Sequence, residues 1–125
     1  MSDDKKIKSY RDLIVWQKSM ELVKEVYLIT KALPKEEQYG LTSQIRRSSI
    51  SIPSNIAEGY GRHSTNDYLR FLQIATGSLY ELQTQLEISR NLDFLPKESF
   101  DKSFEGSREI ERMLSSLIRK VGKSK

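Results

Sequence analysis

The chain of 125 residues contains no cysteine, one histidine, three prolines and one tryptophan. Without thiols it can build neither a disulfide framework nor a thiolate metal site. A single imidazole rules out a His-pair metal site and leaves one base at most for a nucleophilic triad. No Walker loop, dinucleotide fingerprint, paired acidic site or zinc ligand set occurs. Long apolar runs are missing too. Nothing approaches the roughly 20 apolar residues that span a bilayer, and the polar start from Met1 to Tyr10 lacks the core of a secretory signal. The expectation is a cytoplasmic, non-enzymatic protein with no catalytic residues, no metal, no cofactor and no membrane contact.

Against 17 acidic residues stand 21 basic ones, a net charge of +4 that suits an acidic partner such as RNA without requiring one. The length suits one domain with a real core, ordered from about residue 10 to 121 and ending in basic clusters at Lys5-Lys-Ile-Lys and Arg119-Lys-Val-Gly-Lys-Ser-Lys.

Apolar periodicity predicts four helices and no strands. In the first, Leu13, Trp16, Met20, Val23, Tyr27 and Thr30 recur at spacings of three and four, so they are expected to face inward. Ser9 and Asp12 form a capping pair ahead of it. Pro34 stops it, and Leu33 to Gly40 reads as a corner with one short turn. The second helix spans about Leu41 to Tyr60, with Leu41, Ile45, Ser48 or Ser49, Ile52 and Ile56 inward. Pro53 lies inside it, and because the apolar register continues across, a kink is expected rather than a break. Ser64 and Asp67 repeat the capping pattern before a third helix with the seam Tyr68, Leu72, Ala75, Leu79, Leu82, Leu86 and Ser89. Pro96 opens a fourth, whose inward set is Phe100, Phe104, Ser107, Ile110 or Glu111, Leu114, Leu117 and Val121. Short connections between such helices favour antiparallel neighbours. The predicted fold is all-α, an up-down-up-down antiparallel four-helix bundle with helix two kinked at Pro53.

Two helices carry more apolar residues than one face needs. Val15, Leu22, Val26, Ile29 and Leu33 form a second stripe on the first helix. Leu69, Phe71, Ile74, Tyr80 and Ile88 lie partly off the seam of the third. A wide face covering the core accounts for this, and so does an oligomer interface through Val15, Leu22, Val26, Ile29, Leu69, Ile74 and Tyr80. A glycine within the third helix, Gly77, costs helix propensity and points to close packing of another backbone.

Three ordered blocks carry a family resemblance: Asp12-Leu-Ile-Val-Trp-Gln-Lys, the segment from Tyr39 to Gly59 containing Arg46-Arg-Ser-Ser-Ile-Ser-Ile-Pro-Ser-Asn-Ile-Ala-Glu-Gly, and Phe71 to Leu86. Together they resemble the four-helix bundle proteins encoded by intervening sequences within bacterial 23S ribosomal RNA genes. The resemblance covers about Tyr10 to Ile118. It implies an all-helical subunit assembling as a homopentamer around a central channel, without an assigned enzymatic activity. Relatives include the accessory variability determinant of diversity-generating retroelements, which binds a reverse transcriptase and nucleic acid. An accessory scaffold for such an enzyme is therefore the alternative role.

Within the central block, Asn55 and Glu58 sit three apart on one side of the helix, and the expectation is a buried polar clamp fixing bundle register. A catalytic Glu58 would lack a carboxylate partner and have only His63 nearby, itself expected in a loop. Arg46 and Arg47 are the leading phosphate contacts, followed by Lys18, Arg62 and Arg70, because guanidinium forks suit phosphate. Adjacent helical positions point about 100 degrees apart, so one arginine can instead be salt-bridged. In a ring of five, +4 per subunit sums to about +20, which attracts RNA without sequence readout.

Overall fold

A computed structural model describes residues 6–123; Lys5, Ser124 and Lys125 of the two basic ends lie outside the described residues. The described residues form α1 (Ile14–Ile29), α2 (Leu41–Tyr60), α3 (Thr65–Asn91) and α4 (Lys97–Gly122), with no strand among them.

Local chemistry sets the boundaries. The Ser9–Asp12 capping box forms, with Ser9 Oγ accepting from Arg11 N at 3.1 Å and Asp12 Oδ2 from Ser9 N at 3.3 Å. It closes a 3₁₀ turn, Tyr10–Asp12, and α1 starts only after the extended Leu13. The first helix therefore begins later than its capping signal, because the box spends its amides on the turn. Ser64 Oγ accepts from Asp67 N at 3.1 Å and starts α3. Pro34 precedes the short turn Lys35–Glu37, and Pro96 caps α4. Helix α2 runs unbroken through Pro53. At the α3–α4 corner, Asp93 takes a φ of 63° while Phe94 N donates to Ser89 O at 2.9 Å, a left-handed helix stop that the short polar side chain tolerates.

Each helix packs on its chain neighbours, and α1 closes the ring against α4. Ser48 bonds Gln85 at 2.8 Å and Ser51 bonds Ser78 at 2.7 Å, so α3 descends as α2 rises. Lys18 pairs with Glu109 at 3.6 Å and Glu25 with Lys102 at 3.3 Å, which sets α1 against α4 in the same sense. Together with the short corners, these pairings fit an up-down-up-down bundle.

The predicted seam of α3 is inside: Leu72, Ala75, Leu79, Leu82 and Leu86 are fully buried, facing Ile45, Ile52 and Ile56 of α2 and Ile110 and Leu114 of α4. Helix α1 corrects the expectation. Its core stripe is Val15, Leu22 and Val26, continued by Leu33, whereas Met20 is 47% and Tyr27 37% exposed. Val15, Leu22 and Val26 thus form part of the subunit's own core and are not a free interface. Ser19 and Thr30 complete this stripe, each donating its hydroxyl to the carbonyl four residues back at 2.7 Å. Ile29 is half-buried against the same core. The glycine expectation also moves. A Cβ on Gly77 would meet nothing within 4 Å, but one on Gly59 would lie 2.7 Å from Phe71 Cβ, so Gly59 is the close-approach glycine.

Candidate functional site

The basic side chains separate sharply. Arg46 Nε donates to Thr30 Oγ1 at 3.0 Å and its terminal nitrogen to Tyr27 O at 3.3 Å, with the guanidinium 4.5 Å from the Tyr27 ring. It ties the end of α1 to α2. Lys18 is engaged with Glu109. Arg62 pairs with Glu58 at 2.7 Å and Arg70 lies 3.9 Å from Asp67; both guanidiniums sit 4.6 Å from the Phe71 ring. Arg47 is exposed and has no ion pair or hydrogen bond among the described residues. Of five candidate phosphate contacts, one remains uncommitted.

The predicted Asn55–Glu58 clamp comes apart. Asn55 Nδ2 donates to Ser51 O at 2.8 Å and Ser51 Oγ at 2.9 Å, joining the hydroxyl contact to Ser78 on α3. Glu58 points outward, 55% exposed, to Arg62. Three residues along a helix is a turn of 300 degrees, enough to place one at the α2–α3 seam and the other at its edge. The polar element that does bind α2 to α3 deep in the bundle is Ser48–Gln85, which periodicity missed because Gln85 reads as a surface residue. His63 is exposed in the α2–α3 link.

Apolar surface gathers on two faces. Between α1 and α2 runs a groove of about 370 Å³ lined by Trp16, Met20, Val23, Ile50, Pro53 and Ala57 among others. It meets, at Ile50, a cleft of about 450 Å³ that includes Tyr27, Tyr39, Arg46 and Arg47. Among the described residues no carboxylate lines either depression. On α3, Ile74 is 41%, Tyr80 49% and Ile88 42% exposed, while Leu69 is half-buried. Ile50 was findable in the sequence: it is out of phase with Ile45, Ile52 and Ile56. Tyr39, the most exposed aromatic, sits in a corner where no period applies.

Beside the α2–α3 link, Tyr68 is pushed up to about 12, first by burial and then by the charge of Tyr60, whose ring lies edge-on at 6.0 Å. Among the described residues no group of three or more His, Cys, Asp or Glu side chains could hold a metal. No helix among them is long and apolar enough to cross a membrane.

Fold and surface define a small all-α bundle protein with apolar grooves between its helices. The profile of the 23S rRNA-intervening sequence protein family matches residues 11–116, and the chain belongs to that family. It is similar to a solved Bacteroides thetaiotaomicron protein of unknown function from the S23 ribosomal protein family, at 28% identity and a TM-score of 0.78, over 83% of this chain and 97% of that one. No curated protein matches the chain.

Proposed function

We propose that the protein is a non-enzymatic scaffold that works as a homo-oligomer, with five subunits as its family resemblance implies. The observation that carries this reading is the exposure of large apolar side chains on two separate faces, Met20 with Ile50 and Ile74 with Ile88. Large apolar side chains exposed together on a helix face suit an interface. Two distinct faces suit head-to-tail assembly. The basic surface supports RNA contact less well, because Arg46, Arg62, Arg70 and Lys18 are engaged inside the subunit. The non-enzymatic reading draws on Glu58, which is held by Arg62 at an exposed helix edge and has no second carboxylate beside it in that pairing.

Light scattering or sedimentation equilibrium tests it. The expected mass is a multiple of the 14.5 kDa subunit. A single-subunit mass overturns self-association. If that single subunit also binds RNA with steep salt dependence lost in Arg47→Ala, the basic surface is the working face instead.

A further inference from the structure

Arg70, Ile74, Gly77, Glu81, Thr84 and Ile88 recur along α3 at alternating spacings of four and three, and every one is exposed. The buried seam of the same helix has that period, so α3 carries two seams of which the bundle covers one. Gly77 lies in the middle of the outward seam. Among the described residues nothing would touch a Cβ there, so their packing offers no reason for a residue that weakens a helix. Removal of a side chain at such a point lets another chain approach closely.

Charge distinguishes the two faces. Past Arg70, which heads the seam and lies 3.9 Å from Asp67 of its own helix, α3 from Phe71 to Ser89 has Glu81 and Glu87 and no lysine or arginine. The α1/α2 depressions are lined by apolar and neutral polar side chains with Arg46 and Arg47, and by no carboxylate among the described residues. Arg47 borders a cleft with Glu81 of its own subunit without forming an ion pair there.

We propose that the outward seam of α3 docks along the α1/α2 groove of a second copy, with Gly77 admitting the neighbour's Ile50 edge and Glu81 lying against the arginine-bearing cleft. The proposal rests on self-association and names its surfaces. Because seam and groove are different patches, each subunit donates to one neighbour and accepts from another, and the chain of contacts closes into a ring when the rotation permits.

The test uses the full chain with Gly77→Leu, which fills the seam, and Ile50→Glu, which charges the groove; Glu81→Lys serves as a second seam variant. Each variant alone is expected to sediment as one subunit with wild-type helical circular dichroism. Gly77→Leu should also melt no lower than the wild-type subunit, since it improves helix propensity at an open site, a readout that misfolding would reverse. The decisive arm mixes Gly77→Leu with Ile50→Glu. The first retains an intact groove and the second an intact seam, so together they form a two-subunit species with one working interface. Variants that assemble like wild type, or a mixture that stays single, overturn the docking while leaving self-association standing. A wild-type chain that is itself a single subunit removes the underlying reading.

Discussion

Gly59 lies against Phe71 so closely that a Cβ on the glycine would sit 2.7 Å from Phe71 Cβ and 3.2 Å from the Tyr68 ring. The last turn of α2 therefore fits the first turns of α3 only without a side chain. Gly59→Ala gains up to about 1 kcal/mol in helix propensity. It loses more to overpacking, typically ~1–3 kcal/mol, and net destabilisation in urea unfolding is expected. Gly77→Ala, at a site open within the subunit, should shift the curve the other way at concentrations where the chain is a single subunit. Equal effects for the two would mean that α2 and α3 can separate at no cost.

Arg46 is predicted to act through stability. Its fork reaches a hydroxyl and a carbonyl at the end of α1 and stacks over Tyr27. Lysine cannot reproduce that geometry. Arg46→Lys should cost about 1–2 kcal/mol, the range of half-exposed hydrogen bonds from a charged donor. Arg47→Ala, exposed and unbonded, should remain within about 0.5 kcal/mol at concentrations where the chain is a single subunit. Thermal melts of both variants decide it; a neutral Arg46→Lys would show the contact to be dispensable.

Ser103 is fully buried on α4, and its Oγ has no hydrogen-bond partner among the described residues. An unsatisfied buried hydroxyl costs on the order of 1–3 kcal/mol. Ser103→Ala keeps nearly the same volume and removes that cost, so stability should be unchanged or higher. A clear loss in calorimetry would reveal a partner for the hydroxyl.

Tyr68 gives a pH dependence of defined sign. Its folded pKa is raised from 10.0 to about 12, so the folded state holds a proton that the unfolded chain releases earlier. The contribution is intact below pH 10 and is lost as pH rises toward 12. Wild type and Tyr68→Phe should show parallel stability profiles below pH 10, with wild type falling faster above it. Profiles that remain parallel throughout would remove burial as the cause.

The fold was legible because Leu72, Ala75, Leu79, Leu82 and Leu86 form one unambiguous stripe. Helix α1 was not, because two adjacent stripes are both apolar and period alone does not say which one faces in. The true core stripe is interrupted by Ser19, whose hydroxyl folds back on its own helix and passes as a buried small group, while Thr30, expected inward with the other stripe, is buried at its end. That interruption made it read as surplus surface. Arg46 and Arg47 differ only by helical phase against α1, which depends on the bundle's geometry. Asn55 and Glu58 part company for the same reason. Ile74 and Tyr80 alone of the expected interface residues are exposed.

The bundle's seams are fastened by different forces. Between α2 and α3 the fastening is neutral and sheltered, a ladder of hydroxyl and amide contacts at Ser48, Ser51, Ser78 and Gln85. Between α1 and α4 the inter-helix ion pairs are Lys18–Glu109 and Glu25–Lys102, both open to solvent on at least one side. Ionic strength screens exposed pairs and leaves neutral ones untouched. Salt therefore acts selectively: added electrolyte weakens the ion pairs that flank the seam of the first and last helices, leaving its apolar core and the neutral ladder of the central hairpin in place.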